Sequence, residues 1–412
     1  MPDPIIYLDN AATSWPKPDC VGEAMVDFLT HRAGNPGRGG HRLAREASLV
    51  LEQARDRLTK LVHAPCPQRM ILTHGCTDAL NLAIHGVLRA DIRTRCDGTK
   101  PHVVTTAIEH NAVLRTLHCY TTSGLIDMTI VPCDEQGFVH ADALIEACNE
   151  CTVLLTLSHA SNVLGTIQPI KETIRTIREQ YPDMLIMVDA AQTAGHFEID
   201  VQDWDIDLLP LAGHKGLRGP TGTGALYVSP RAYPDDCDKS RVFCERRGGT
   251  GSMAPGLEMP TKLPDALEAG TSNAVGFAGL IAAIDALTHE VHEHEMEMTD
   301  RVLRACTRSR ASRSTGCPAS RDEHQLCCST SKGPTHARSW PSSTPSTGLL
   351  SEAASTAPRS STKRSAPAAT AACVSAPDRV PPQSRSIASS MPSERWPFST
   401  PKSRLIRRLN ER

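Results

Sequence analysis

A lysine in a glycine-rich turn is the residue of this sequence best suited to covalent chemistry. Lys215 lies in LAGHKGLRGPTGTGALYV, residues 211–228, between two segments with the composition of strands. A lysine in such a turn is usually only solvated, so this motif alone indicates no function. Upstream, the run LIMV leads into Asp189 and Gln192. α/β proteins bind ligands at the carboxyl edge of a parallel sheet. We therefore expect the amine of Lys215, the carboxylate of Asp189 and the amide of Gln192 to lie together at that edge.

This set of side chains suits the chemistry of pyridoxal 5'-phosphate (PLP). That chemistry needs a lysine for an imine, an acid that keeps the pyridine nitrogen protonated and a donor to the phenolic oxygen. Without the acid the ring is a poor electron sink. Lys215, Asp189 and Gln192 are the candidates for these three roles.

Two further segments could complete such a site. In THGCTDALNLA, residues 73–83, a glycine turn leads into Thr77 as a plausible N-cap, and free backbone N–H groups around Cys76 would suit a phosphate. In TTAIEHNAV, residues 105–113, His110 follows a strand end, where an imidazole could stack on a cofactor ring. Taken alone, the first segment favours an ordinary capped helix and the second a structural histidine.

Short apolar runs alternate with helical segments between about residues 20 and 230, which predicts a mainly parallel, seven-stranded α/β sheet covered by helices on both sides. The runs are MILT (70–73), HVVTT (102–106), MTIVP (128–132), VLLTL (153–157), LIMVD (185–189), DLLPL (207–211) and ALYVS (225–229). Residues 47–62 and the segment from Thr77 have helical spacing. Residues 273–305 are predicted to form one long helix that joins a large domain to a smaller one. Its apolar stripe comprises Phe277, Leu280, Ile281, Ile284 and Leu287.

Composition argues for a soluble cytoplasmic protein. The net charge of −2 gives no indication of nucleic acid or an acidic membrane as partner. An odd count of fifteen cysteines without regular spacing favours a reducing compartment. The N-terminus has no basic region followed by an apolar run, so no leader peptide or membrane span is expected.

The character of the chain changes after Cys306. Residues 306–412 carry 17 Lys and Arg against 6 Asp and Glu, whereas the first 305 residues have a net charge of −13. Serine, proline, threonine, alanine and arginine dominate, and no helical or strand period persists, which is typical of disorder. A genuine basic tail and an out-of-frame translation of a GC-rich gene both account for this composition.

Eight ordered blocks resemble the cysteine desulfurase-like branch of the class V aminotransferases over about residues 4–305. They are LDNAATSWPKP (8–18), NPGRGGHRLA (35–44), EHNAVLR (109–115), HASNVLGTIQPI (159–170), VDAAQTAG (188–195), GHKGLRGPTGTGALYV (213–228), GGTGS (248–252) and EAGTSN (268–273). The resemblance implies the PLP-dependent transferase fold type I. It also implies a homodimer that binds PLP at domain and subunit interfaces.

The resemblance assigns roles around the cofactor ring. Lys215 matches the Schiff-base lysine and Asp189 the partner of the pyridinium nitrogen. Gln192 matches the donor to the phenolic oxygen, and His110 matches the ring-stacking residue. All four therefore belong to the expected catalytic and cofactor-binding set.

The same resemblance assigns the phosphate site. Cys76 and Thr77 match the phosphate-binding turn, and His214 matches the histidine that also reaches phosphate. Thr250 resembles a residue that reaches the phosphate of the partner subunit. Ala212 stands where many relatives have serine or threonine, so one phosphate hydrogen bond is expected to be missing, at a cost of about 1 kcal/mol.

The substrate side is only partly present. Asn162 matches the asparagine near the substrate carboxylate, and Ala11 and Ala12 lie in the segment that lines the substrate pocket. A desulfurase also needs a cysteine thiolate that attacks the substrate sulfur and an arginine that holds the carboxylate. The family carries both near the C-terminus, but the surroundings of Cys373 match nothing there. The chain has about the length expected of a complete enzyme, but its C-terminal residues do not match the family. This combination favours a frameshift near residues 305–310.

Two motifs are expected to have no role. HEVHEHE, residues 289–295, lacks the His-Glu-x-x-His spacing, and a solvated charged face is favoured over a metal site. The glycines of GPTGTG, residues 219–224, open a strand and so form no dinucleotide fingerprint. No metal is predicted.

The sequence thus predicts a large PLP-binding domain with its N-terminal segment (1–262), a linking helix that begins the small domain (263–305) and an anomalous tail in place of that small domain (306–412). The predicted activity is that of a cysteine desulfurase-like enzyme on L-cysteine or a related amino acid, inactive or nearly so as written. A sulfur-acceptor protein is a further expected partner. The alternatives are selenocysteine lyase or another class V aminotransferase or lyase, and a catalytically silent PLP-binding protein.

Overall fold

The fold is described by a computed structural model that covers residues 5–37, 40–95, 98–250 and 257–308. The chain divides into two units, Met1–Ala337 and Arg338–Arg412, and every described residue belongs to the first. Of the predicted tail, residues 306–308 end the last helix and all later residues lie outside the described part. The predicted domain boundaries stay predictions.

A seven-stranded sheet forms the centre of the first unit. Its strands are β1 (Met70–Thr73), β2 (His102–Thr106), β3 (Asp127–Val131), β4 (Thr152–Ser158), β5 (Leu185–Asp189), β6 (Leu208–Ala212) and β7 (Gly224–Val228). They lie in the order β1-β7-β6-β5-β4-β2-β3. All pairings from β6 to β3 are parallel, and β7 runs antiparallel to both β1 and β6. The prediction of a mainly parallel seven-stranded sheet is confirmed.

Helices cover both faces of this sheet. They are α1 (Asp19–His31), α2 (Arg42–Leu61), α3 (Cys76–Thr94), α4 (Asn111–Thr122), α5 (Ala141–Ala147), α6 (Ile170–Gln180), α7 (Ala274–Asp285) and α8 (His289–Arg308). On β5, Leu185 and Met187 belong to the hydrophobic core shared with α3 and α4, whereas Ile186 and Val188 belong to the core shared with α2, α6 and α7. Because successive strand side chains point to opposite faces, this alternation locates a core on each side.

The prediction of one long helix over residues 273–305 is wrong. Two helices, α7 and α8, are separated at residues 286–288 and bent by 78°. α7 is almost wholly apolar and packs against α1 and α2, and an ion pair from Arg57 to Asp285 lies at its end. α8 is rich in His and Glu, so the bend coincides with the change from an apolar to a charged sequence.

Membrane-spanning character is not found in any single described helix. None is both long and apolar enough to cross a bilayer, and Ala274–Asp285 with Glu290–Ala305 reach that length and composition only when joined across their bend.

A buried carboxylate ties β5 and β6 to the surrounding loops. Asp207, immediately before β6, is fully buried. Its Oδ2 accepts hydrogen bonds from Arg178 Nη2 at 2.6 Å and from the Ile186 N–H at 2.9 Å. Its Oδ1 accepts from Arg231 Nη1 at 2.7 Å and from Ser229 Oγ at 2.8 Å. Two guanidinium groups therefore share this buried carboxylate, and both also contact the half-exposed Asp205.

Asp207→Ala is expected to lower the free energy of unfolding by about 3 kcal/mol, because it removes the buried carboxylate between two guanidinium groups and leaves them only the half-exposed Asp205. Asp203→Ala is the control, since its ion pair with Lys171 is half-exposed and is expected to contribute nothing measurable. Urea unfolding of the two variants measures the difference. Equal losses of stability in both would contradict the assigned role.

Candidate active site

A cavity of about 890 Å³ lies at the carboxyl ends of β4, β5 and β6. Ten of the eleven site residues predicted from the sequence line it, so residues from distant parts of the chain converge on one place. They are Ala11, Ala12, Cys76, Thr77, His110, Asn162, Asp189, Gln192, His214 and Lys215. Thr250 instead lines a second cavity, of about 470 Å³, together with Arg55 and Glu268.

Lys215 is held in a tight turn between β6 and β7. The Gly213 N–H donates to the Thr223 carbonyl at 3.0 Å, and the Gly219 N–H donates to the Gly213 carbonyl at 2.8 Å. A Cβ at Gly213 would lie 2.1 Å from Thr223 Oγ1, so only glycine fits there. The turn is thereby fixed by its own backbone, and Lys215 projects from it at the cavity wall.

The N-terminal segment closes over this turn. The His214 carbonyl accepts hydrogen bonds from Lys17 Nζ at 2.8 Å, from Thr13 Oγ1 at 3.1 Å and from the Ser14 N–H at 3.2 Å. Burial, and then the charge of Arg218, lower the pKa of Lys17 to about 8. Sequence reasoning gave Lys17 no role, although it lies in the block LDNAATSWPKP that carried part of the resemblance.

Gln192 links the same segment to the sheet edge. Its Nε2 donates to the Ala11 carbonyl at 3.3 Å. The side chain is buried, so this bond sets both the position of Gln192 and the position of the segment opposite it. Ala11 thus lies on the cavity wall, and its contact with a substrate stays a prediction.

Asp189 presents a buried carboxylate at the end of β5. Its Oδ1 accepts from the Ala191 N–H at 2.9 Å and from Cys76 Sγ at 3.5 Å. Burial raises the pKa of Asp189, while the Ala191 hydrogen bond and the charge of Lys215 act in the opposite direction. A protonated ring nitrogen would supply a cationic partner to this carboxylate.

Cys76 is a thiol donor to Asp189 and a poor nucleophile. Burial, followed by the charge of Asp189, raises the pKa of Cys76 well above its ordinary value. The thiolate is the reactive form of cysteine. Cys76 therefore stays protonated in this environment.

The start of α3 and His214 offer unsatisfied donors on one side of the cavity. The N-cap is Gly75, which has φ of 150° and supplies no side-chain cap. The first N–H groups of a helix lack intrahelical partners and attract anions. His214 Nδ1 is buried and has no hydrogen-bond partner among the described residues. Such groups suit a phosphate, and together with Lys215 and Asp189 they fit PLP.

Asp78 lies in the first turn of α3, but its carboxylate is paired with a cation and so repels an anion at the helix start less. Its Oδ2 accepts from the His74 N–H at 2.9 Å and from Arg246 Nη1 at 2.9 Å. Arg246 was not singled out in the sequence, because its partner is distant along the chain. This ion pair offsets the negative charge nearest the helix start.

His110 caps α4 and is exposed on the cavity wall. Its Nδ1 accepts a hydrogen bond from the Ala112 N–H at 3.1 Å. A nitrogen that accepts carries no proton, so the neutral ring has its proton on Nε2. The bond fixes the orientation of the imidazole, and its predicted stacking on a cofactor ring stays a prediction.

Glu109, beside His110, is a buried acid that sequence reasoning did not place in the site. Its Oε1 accepts from Thr106 Oγ1 at 2.8 Å and from the Ser158 N–H at 2.6 Å. Its Oε2 is buried without a hydrogen-bond partner among the described residues. Burial raises the pKa of Glu109 to about 8, and the nearby charge of Asp189 adds to that rise.

Glu109→Gln is expected to remove a pH dependence of stability. Because the pKa of about 8 in the folded state exceeds the ordinary 4.5, the folded protein retains a proton that the unfolded chain releases between these values. The free energy of unfolding of the parent should therefore fall relative to the variant as pH rises from about 4.5 to about 8, by up to about 1.4 kcal/mol per pH unit. Urea unfolding at several pH values measures the difference in free energy of unfolding between the parent and the variant. A difference that does not change with pH would contradict the prediction.

Three further positions that the sequence singled out are Asn162, Ala212 and Thr250, and each lies in a different environment. Asn162 is exposed at the rim of the cavity. Ala212 is buried in β6 opposite Gly224, and it does not line the cavity. Thr250 does not meet Lys215 within one chain, which accords with the expectation that it serves a second subunit. That role stays a prediction.

Comparison with known proteins identifies the family. The family model described as "Aminotransferase class-V" matches residues 6–338, so the match extends past residue 305, where the resemblance was predicted to end. "Cysteine desulfurase IscS" of Dictyoglomus turgidum is 38% identical over 223 residues, 54% of each chain. "Probable cysteine desulfurase" of Halalkalibacterium halodurans is 34% identical over 301 residues, 71% of this chain and 70% of that protein.

A comparison with a solved structure supports the same family. The apo structure of cysteine desulfurase from Thermococcus onnurineus NA1 has a TM-score of 0.63 and 27% identity, and the match covers 74% of this chain and 72% of that one. This match bears out the predicted fold. The chain spans about half the length of the first of these curated relatives and about seven tenths of the second. The chain belongs to the PLP-dependent class V aminotransferase family and is cysteine desulfurase-like within it.

Proposed function

We propose that this protein binds PLP through Lys215 and acts on L-cysteine or a related amino acid. The observation that carries this proposal is the convergence of Lys215, Asp189 and the uncapped start of α3 on one cavity. The similarity to cysteine desulfurases supports the choice of substrate class.

The side chains divide the work between binding and proton transfer. When bound, PLP supplies the electron sink that stabilises charge at the substrate Cα. Asp189 would hold the ring nitrogen protonated, and Gln192 would donate to the phenolic oxygen. Lys215 Nζ would remove and return the proton at the substrate Cα. His110 would stack on the ring, with its orientation fixed by the Ala112 N–H.

Different residues of the cavity would bind the phosphate and the substrate. Cys76 and Thr77 offer backbone N–H groups, and His214 offers an imidazole nitrogen, to the phosphate. Asn162 at the rim serves the substrate carboxylate. Ala11 and Ala12 leave room for a small side chain, in keeping with a substrate of the size of cysteine.

Sulfur removal requires two further groups that the described cavity does not contain. Among the described residues, Cys76 is the cysteine in the cavity wall, and its raised pKa makes it a poor attacking thiolate. No arginine of the described residues lines the cavity. Any attacking thiolate and carboxylate-binding arginine must therefore come from other parts of the chain or from a partner.

Product analysis separates the candidate activities. The PLP-loaded chain is incubated with L-cysteine or L-selenocysteine and a dithiol reductant, which supplies the two electrons that release transferred sulfur as sulfide or selenium as selenide. Alanine, pyruvate, sulfide and selenide are then measured, and alanine with sulfide that depends on the reductant supports desulfuration. Pyruvate with sulfide indicates a β-lyase, and turnover of selenocysteine alone indicates a selenocysteine lyase. Bound PLP without any product would indicate a catalytically silent binding protein.

A homodimer is the expected assembly. Thr250 lies outside the Lys215 cavity of its own chain, as a residue that completes the site of a neighbour would. Two-fold pairing is also the commonest form of oligomer. Light scattering at micromolar concentration should give twice the chain mass of 44.5 kDa. The mass of a single chain with PLP bound would contradict the proposal, as would failure of Thr250→Ala to weaken PLP binding.

A further inference from the structure

Three potential metal ligands meet outside the Lys215 cavity. His196 follows β5 and the Gln192 turn, whereas His292 and Glu295 lie on α8. One ligand atom from each lies within 4.8 Å of the others. Residues three apart on a helix lie on the same face, so the sequence HEVHEHE directs His292 and Glu295 together toward His196.

His196 is held rigidly at this place. Its N–H donates to the Thr193 carbonyl at 3.0 Å. Its ring packs against Gly216, where a Cβ would lie 2.6 Å from His196 Nε2. The side chain is only 18% exposed. The glycine therefore makes the space that the imidazole occupies.

The helix side of the cluster is also packed. The rings of Phe197 and His292 meet edge to face with centroids 5.2 Å apart. Glu295 Oε2 lies 2.7 Å from His196 Nδ1. The Glu295 side chain is therefore directed at the His196 imidazole, on the side where His292 also lies.

We propose that His196, His292 and Glu295 form a site for a divalent transition metal of the Zn²⁺ class. Two imidazoles and one carboxylate are a ligand set that Zn²⁺ uses, with a further position open to water. At Zn–N and Zn–O distances of about 2.0–2.2 Å, tetrahedral ligand atoms lie roughly 3.4 Å apart. His196 and Glu295 are 2.7 Å apart and all three ligand atoms lie within 4.8 Å of one another, so shifts on the order of 1 Å in the His292 and Glu295 side chains would reach this geometry.

An ion pair between His196 and Glu295 is the simpler alternative, and His292 distinguishes the two. An ion pair needs only two of the three residues, whereas a metal site needs all of them. The site would join α8 to the turn that carries Lys215, because His196 packs on Gly216, the next residue. A bound ion would therefore fix the position of the last described helix.

Metal titration of the full-length, PLP-loaded chain tests the proposal. After chelation and buffer exchange, Zn²⁺ is titrated into the parent and into His292→Ala, Glu295→Gln and His294→Ala. His294 is exposed on the same helix and is the matched control. Loss of a ligand should weaken Zn²⁺ binding at least about 10–100-fold, the loss typical of even indirect partners. The control should bind within about twofold of the parent, and circular dichroism verifies that all variants are folded.

Co²⁺ identifies the ligands in the same proteins. Nitrogen and oxygen ligation gives visible d–d bands without thiolate charge-transfer absorption, and both variants with a lost ligand should lose these bands. Thiolate absorption would instead locate the metal on cysteines and overturn the proposal. Absence of tight Zn²⁺ binding to the parent would equally overturn it, as would parent-like binding by His292→Ala, and the ion pair would then stand alone.

Discussion

Lys215→Ala is expected to abolish covalent attachment of PLP. The parent, loaded with PLP and reduced with borohydride, should retain one cofactor per chain on the peptide that contains Lys215. The variant should retain none, because Asp189, Gln192 and the start of α3 bind the cofactor without forming a bond to it. Peptide mass spectrometry after reduction measures the site directly, and it needs no catalytic turnover.

Lys17 provides the control for this experiment. It donates to the carbonyl just before Lys215, and its pKa of about 8 leaves a larger fraction of neutral amine than an ordinary lysine has. It is therefore the described lysine best able to compete for an aldehyde. Lys17→Met should keep the label on Lys215. A label on Lys17 in the parent would refute the assignment.

Sulfide release by the chain as written is expected to be at least about 100-fold lower than by a version restored to the other reading frame. The charge changes from −13 before residue 306 to +11 after it, and the apolar period stops there. A site without a covering small domain loses the exclusion of water and the positioning on which such chemistry depends. Sulfide and alanine formation from L-cysteine measures both chains.

One variant decides whether the tail works as a small domain. Cys373 is the only cysteine beyond Cys328, and the family carries its attacking thiol near the C-terminus, so Cys373→Ala removes the candidate in that region. If the chain as written turns over L-cysteine and Cys373→Ala does not, the frameshift hypothesis is wrong. Sequencing the DNA around codons 300–315 tests the same hypothesis independently.

Much of the fold could be predicted because buried parallel strands leave a local signature. All seven strands came from short apolar runs, and the shifts at their ends were of one residue, as where β3 begins at Asp127 and β7 at Gly224. The break between α7 and α8 could not be predicted in this way. The apolar spacing continues to Leu287, whereas the bend depends on which surfaces receive the two helices.

The residues of the site also fall into those that local motifs predict and those that only packing brings together. Lys215, Asp189 and Gln192 could be predicted because each lies in a motif next to a strand end. The contact of Lys17 with the His214 carbonyl and the burial of Glu109 depend on packing that the local sequence does not encode. His196 was not linked to His292 and Glu295 for the same reason, since only the fold brings α8 beside the turn after β5.

The position of β7 has a consequence for how the protein is made. β1 lies at the edge of the sheet and, among the described strands, pairs only with β7. Residues 74–223 must be synthesised between them, which takes roughly 8–30 s at ordinary rates of translation. Throughout that interval the apolar run of β1 on the nascent chain lacks its backbone partner. The ribosome-bound intermediate therefore presents an open strand edge, the kind of surface that chaperones recognise and that aggregation exploits.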